Sequence, residues 1–479
     1  HDSARLVSAP NVEWTRYTLS IPTTADAHSI AVTVGLEGSG SVWFDSFSMQ
    51  VAGETVADAS TGPRASANEI AWLSSHSHPL RDVRPSTGDD SDLELFDMIV
   101  GDARVVALGE STHGTREFFL VKHRLLEHLV RTRGFSVFAI EANQIAVETV
   151  NRYVNGGDGT ARDVMRVMFR VWNTEEVAGL IEWMRGYNAA RPHRPLRFVG
   201  YDMQDHIRPL DSLRAFLTRR EPSLLTVLQA LGDYRAQRAW STPQIPDTTR
   251  SSWRRAAERV FADVNARRHA WLGRARTPSD SLDIEWGVQA ANLLRQSALG
   301  NETLNVPDRD SMMAANLEWA LRTLAPNERA VVWAHDIHVS RGGDKQLSFY
   351  NGATMGAQLS RIFGDAYRVF SLLTYEGTYS ATRSLTNHEM TVAAALPAPT
   401  GSMEQALHRV SRPPTSVGVT LDLRAARSDP NARWLQRPHR LRHVGYAAYD
   451  FAFDLSAVFP LEFDGVVFID RTTASRLLP

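Results

Sequence analysis

The sequence predicts an α/β fold: a mainly parallel sheet flanked by helices, with a helical insertion and a partial β-sandwich segment at its N-terminus. Three observations carry this. Short, uninterrupted apolar runs recur between amphipathic helical stretches, the pattern of parallel strands buried on both faces. A long stretch rich in Arg, Ala and Leu, residues 206–325, reads as helical and interrupts that alternation. The opening residues instead alternate apolar and polar, the period of strands with one wet face.

Taken in order, Val12–Ile21, Ser29–Leu36 and Ser41–Val51 are the period-two runs, divided by turn signals at Pro22 and Gly38–Gly40. Three strands are too few to bury two sheet faces, so residues 1–52 are expected to be one part of a sandwich. Trp43-Phe44-Asp45 after Gly-Ser-Gly resembles the closing strand of carbohydrate-binding-like modules, which implies a glycan contact for this segment. Residues 53–68 are small and polar and read as a linker, leaving 69–479 as the α/β region. Helical periodicity begins near Glu69 and returns at Asp92–Val100. Buried-type strands follow at Arg104–Gly109, Ser136–Glu141, Leu196–Tyr201 and Arg329–Ala334. Helices are expected between them at Arg116–Thr132, from Ala146 to Tyr153, and across 161–189. Pro243–Asp247 breaks the helical insertion. Beyond it come a helix near Met355–Ile362 and strands at Tyr367–Leu373, Ser416–Leu423 and Gly465–Asp470.

Composition excludes several classes. Among 479 residues, 52 basic side chains face 54 acidic ones, for a net charge of −2, so no positive excess draws nucleic acid or an anionic membrane. The absence of cysteine excludes disulfides, Cys-ligated zinc, iron–sulfur clusters and a thiol nucleophile, and leaves the redox compartment open. No apolar stretch reaches the roughly 18 residues of a membrane span. The chain opens at His1 rather than at a methionine, as expected where a leader, an upstream segment or a tag precedes it. Together with the partial sandwich and the missing cysteines, this leans toward an extracytoplasmic location without fixing it.

Three strands run into polar residues. Arg104–Gly109 leads into Glu110-Ser111-Thr112-His113-Gly114, Ser136–Ile140 into Glu141, and Arg329–Ala334 into His335-Asp336-Ile337-His338. Ligands bind beyond the carboxyl ends of parallel strands, so these carboxylates and imidazoles are expected to converge. Each has a plainer reading: Glu110 as a helix cap, His113 as a turn residue, His335 and His338 as a chance spacing that also suits a metal ion. Glu141 directly follows an apolar run and needs a partner. Ser111 follows a strand as a serine nucleophile would, but the small residue required on its far side is missing, with His113 in its place. Water deprotonated by a histidine that a glutamate holds needs only residues already present.

Seven segments go further together: Val106–Glu117, Phe138–Asn143, Trp172–Glu175, Ile181–Asn188, Phe198–Gln204, Arg309-Asp310 with Met313, and Trp333–Val339. In order and spacing they resemble the erythromycin esterase family over residues 70–479. The resemblance implies a hydrolase that opens the lactone ring of macrolide antibiotics. It carries the family's first Glu and His onto Glu110 and His113, its second-strand Glu onto Glu141, and its later histidines onto His335 and His338. Asp336 stands where the family usually has Asn, and Lys122 where it commonly has Arg.

The expected chemistry is hydrolysis of a small-molecule ester or macrolide. His113, oriented by Glu110, activates water; Glu141 positions that water or a second histidine; His335 or His338 serves the leaving alkoxide or the oxyanion. Lys122 is expected to grip a substrate oxygen, with Arg116, Asn143, Trp172 and Gln204 as further substrate contacts. Arg309-Asp310 reads as an internal ion pair, and Tyr201 as core packing or cleft lining. No cofactor is expected. The competing readings are a metal-dependent esterase or lactonase, with the same Glu and His side chains as ligands, and a non-catalytic binder. Chelation separates the first, and loss of site residues would mark the second.

Overall fold

The computed structural model describes residues 64–85, 88–236, 245–303, 306–342, 354–384, 387–411, 415–448 and 455–479, with 18, 20, 50, 51, 54 and 55 before them. The chain divides into two compact units, His1–Asp58 and Ala59–Pro479. In the first, Gln50–Val51 pairs antiparallel with Glu54–Thr55. The three strands expected there fall outside the described residues apart from isolated positions.

The second unit is built on a nine-stranded sheet. Its strands are β1 (Ser77–Leu80), β2 (Val105–Leu108), β3 (Val137–Asn143), β4 (Arg197–Asp202), β5 (Ala330–Trp333), β6 (Tyr367–Thr382), β7 (Met390–Ala395), β8 (Gly418–Asp422) and β9 (Gly465–Thr472). They lie in the order β1-β8-β9-β6-β2-β5-β3-β4, with β7 also on β6. From β9 to β4 every pairing is parallel, whereas β8 pairs antiparallel with both β9 and β1. The fold class expected from the sequence is therefore the one observed, and the carboxyl ends of the parallel strands share one edge.

Alternation along the central strands feeds two cores. Val105, Ala107, Val137, Ala139, Ala330 and Val332 face one; Val106, Leu108, Phe138, Ile140, Val331 and Trp333 face the other. Each is then covered by helices, which is why these strands are apolar throughout. The first face takes α1 (Ala67–Ser75), α9 (Val306–Thr323) and α10 (Met355–Phe363). The second takes α2 (Glu94–Val100), α3 (Arg116–Arg133), α4 (Glu148–Val154) and α5 (Glu175–Ala190). Between β4 and α9 stand α6 (Ile207–Arg220), α7 (Asp247–Leu272) and α8 (Pro278–Thr303), with a core of their own around Phe216, Trp253, Val260 and Leu294. No helix among the described residues is long and apolar enough to cross a membrane.

Three elements depart from expectation. β6 runs past Leu373 to Thr382, because at Gly377 it passes from pairing with β9 to pairing with β7. Gly377 has φ 144°, and a Cβ there would strike the Thr472 carbonyl, so the partner change needs glycine. β1 contains Pro79 and lies at the sheet edge, where a missing N–H is tolerated. The helical stretch across 161–189 is broken, with Ala161–Val164 and two 3-10 turns before α5.

Candidate active site

The turn after β2 places Glu110 and His113 at the sheet edge. Glu110 is fully buried, and its two oxygens meet three close partners. Its Oε1 lies 2.7 Å from Nδ1 of His113, and its Oε2 accepts from Nζ of Lys122 at 2.7 Å and from Nε1 of Trp333 at 2.9 Å. Lys122 reaches it from the second turn of α3, and its ammonium also rests 4.4 Å from the centre of the Trp333 ring. Burial pulls the Lys122 pKa down to about 8, against the Glu110 charge. The expectation that Lys122 grips a substrate oxygen is thus corrected: its side chain is sealed in the protein and held by Glu110.

With Nδ1 facing Glu110, no protein group among the described residues bonds Nε2 of His113. The ring meets Trp172 edge to face at 5.3 Å and His335 at 5.0 Å. Trp172 is buried and donates its Nε1–H to the Glu141 carbonyl, so it backs the imidazole and ties β3 to it.

Glu141 comes from β3, whose seven residues are all buried. Its Oε1 accepts from Nη2 of Arg309 at 2.7 Å, and its Oε2 from the backbone N–H of His335 at 3.2 Å. Burial works against its charge, but His338, Arg309 and His113 outweigh it and bring the carboxyl down to about 2. The same Nη2 donates to Asp202 at the end of β4, at 2.6 Å. Arg309 and Asp310 therefore do not pair with each other as expected. Asp310 instead accepts from Nδ1 of His338 at 2.7 Å, while Nη1 of Arg309 lies 3.1 Å from Nε2 of that ring. Both nitrogens of His338 are engaged. Burial disfavours its charge, yet Asp310 and Glu141 hold its pKa above the ordinary range.

His335 is placed differently. It caps the helical turn Asp336–Val339, its Nδ1 accepting from the Ile337 N–H at 3.4 Å. That puts the ring proton on Nε2, which is buried and has no well-formed hydrogen bond, though the Ser111 carbonyl is near enough to be felt. Burial first, then His443, His113 and His338, keep its pKa well below that of a free imidazole, so the ring is neutral. Asp336 is buried beside it, accepting from the Ser371 hydroxyl at 2.6 Å, and burial raises its carboxyl to about 8. With its carboxyl so raised, the protonated form of Asp336 prevails at neutral pH.

The remaining expected contacts are engaged with protein. Asn143 accepts from the Asp205 N–H at 2.9 Å, Gln204 donates to Asp202 at 2.8 Å, and the partly exposed Arg116 pairs with Glu176 at 3.1 Å. Tyr201 is fully buried and donates to the Trp333 carbonyl. Asp202 was not singled out from the sequence, although it ends the buried strand β4. His443 was missed too: it belongs to no motif, and the short strand before it, His439–Leu441, was not read from the sequence. Among the described residues no three His, Asp or Glu side chains are grouped to hold a metal ion.

The tips of the parallel strands thus gather two carboxylate-held imidazoles, His113 on Glu110 and His338 on Asp310. The chain belongs to the erythromycin esterase family, whose model matches residues 130–472. It is similar to YbfO of Bacillus subtilis (strain 168), at 22% identity over 433 residues, 85% of this chain and 92% of that protein. It is also similar to erythromycin esterase type II of Escherichia coli, at 23% identity over 332 residues, 65% of this chain and 78% of that protein. Among solved structures, a mutant of the erythromycin esterase EreC in its open conformation shares the fold. The TM-score is 0.60 at 17% identity, over 84% of this chain and 98% of that one.

Proposed function

We propose that the protein hydrolyses an ester or lactone of a small molecule, macrolactones included, by direct attack of water activated by His113. The observation that carries this reading is the Glu110–His113 pair, 2.7 Å apart, with Nε2 of the imidazole left to act. The Glu110 carboxylate fixes the proton on Nδ1, so the lone pair of Nε2 takes the proton of the attacking water. Lys122 and Trp333 hold Glu110 rather than the substrate. The water oxygen bonds to the carbonyl carbon, and negative charge collects on the carbonyl oxygen. The neutral His335 Nε2–H is a buried donor suited to that oxygen. Collapse breaks the bond to the leaving oxygen, which takes back the proton from His113. A lactone yields one ring-opened hydroxy acid. His338, Arg309, Asp310, Asp202 and Glu141 act as the frame that fixes His335 through its backbone.

Purified protein incubated with erythromycin, simple lactones and aryl esters is expected to convert at least one of them with a mass gain of one water. His113→Ala should lower kcat at least about 10²-fold. Equal turnover by that variant would remove His113 from the reaction. Activity is expected to survive chelation; its loss with EDTA and return with a divalent ion would favour a metal-dependent hydrolase.

A further inference from the structure

Two imidazoles in this site have a buried ring nitrogen without a well-formed hydrogen bond among the described residues: Nε2 of His335, near the Ser111 carbonyl, and Nδ1 of His443. Their rings stand edge to face, with centres 4.6 Å apart and planes at 90°. A buried polar atom in a folded protein is ordinarily hydrogen-bonded, and leaving one unpaired costs about 1–3 kcal/mol. Two such atoms on rings in contact, from segments more than a hundred residues apart in sequence, are hard to account for as packing.

The loop that carries His443 is fixed on both sides of it. The Arg442 N–H donates to the buried Glu404 at 2.6 Å, and its guanidinium donates to the carbonyls of Tyr375 and Leu396 at 2.9 and 2.6 Å. The Val444 N–H donates to the Ser111 carbonyl at 2.8 Å, and Val444 bridges to Thr112 in the strand-like run between Glu110 and His113. His443 is therefore held over the motif turn itself. Burial, then repulsion from His113 and His338, brings its pKa down to about 3, so the ring is neutral and can donate a hydrogen bond without giving up its proton.

We infer that His443 is a catalytic residue of this site, which joins His335 in donating hydrogen bonds to the carbonyl oxygen of an ester as that oxygen becomes an oxyanion. The inference rests on the hydrolase reading above and adds its second donor. Paired neutral imidazoles suit this role because they stabilise developing negative charge at no cost in protonation.

The test uses the whole chain and whichever ester or lactone the wild type cleaves. His443→Ala is expected to lower kcat about 10²–10³-fold with little change in KM. His443→Gln, which keeps an N–H donor, should recover part of that loss. Unchanged Tm in both variants would separate the effect from misfolding. Independently, phenylboronate, whose hydrated form is a tetrahedral anion, should shift the ring nitrogen resonances of both His335 and His443. Wild-type turnover with full activity in His443→Ala, or a boronate shift at His335 and none at His443, would overturn the inference and leave the hydrolase reading standing. A wild type that cleaves nothing on the panel and binds no boronate would remove both.

Discussion

At the scale of single residues, two carboxyls in the site titrate in opposite directions. Asp336 has a folded pKa of about 8 against 3.8 for an ordinary aspartate. Between those values the folded chain holds a proton that the unfolded chain has lost, so stability falls as pH rises through the window and levels off above it. Asp336→Asn keeps a neutral side chain that does not titrate. Its gain in Tm over the parent is expected to grow from about pH 5 to about pH 8 by calorimetry; a constant gap would mean that the carboxyl is ionised in the fold. Glu141 has the opposite sign. Its folded pKa of about 2 lies below the ordinary 4.5, so its contribution is complete above 4.5 and disappears as pH falls toward 2. Glu141→Gln should cost about 3 kcal/mol at neutral pH, because Arg309 would keep only Asp202 against its buried charge. Urea titration would show that cost shrinking in acid. The sequence disclosed Glu141 because a carboxylate after four apolar residues has few other uses. It did not disclose where Lys122 points, since a lysine at a helical position shows no preference for Glu110 until the helix is docked.

At the scale of elements, the motif turn is clamped more tightly than its composition suggests. The Gly114 carbonyl accepts from the N–H groups of Ser380 and Ser475, at 2.9 and 2.8 Å, and a Cβ on Gly114 would strike the Ser380 backbone. Gly114→Ala should therefore destabilise the fold by about 1–3 kcal/mol and lower turnover more than stability alone accounts for, because His113 precedes it. A variant with parental Tm and kcat would show that β6 yields more readily than its pairing implies. The parallel strands were legible because a strand buried on both faces must be apolar throughout. β7 was not: its sequence, Met390–Ala395, is short, and its side chains are partly exposed, with Val392 at 61%. It forms only because β6 extends beyond β9 to receive it. α9 was legible as helix, but its two functional side chains were assigned to each other, when the fold sends Arg309 to carboxylates on β3 and β4 and Asp310 to His338.

At the scale of the whole molecule, the helical insertion and the sheet meet through the site. Arg309 opens α9, beyond the insertion's own core, and binds carboxylates on β3 and β4. Sequence order shows such an insertion but not which of its residues return to the sheet, because that depends on helix length and crossing angle together. The proposed oxyanion donors and the base are drawn from residue 110 to residue 443, and none of these groups is assembled by its nearest neighbours alone. Contacts between distant parts of a chain close late, after the entropy of long loops has been spent. On dilution from denaturant, helical ellipticity should return first and ester cleavage last, in a single slow phase that starts only once the loop carrying His443 and Val444 has settled beside Thr112. Turnover that returned with the earliest ellipticity would mean that a fragment of the chain already suffices for chemistry.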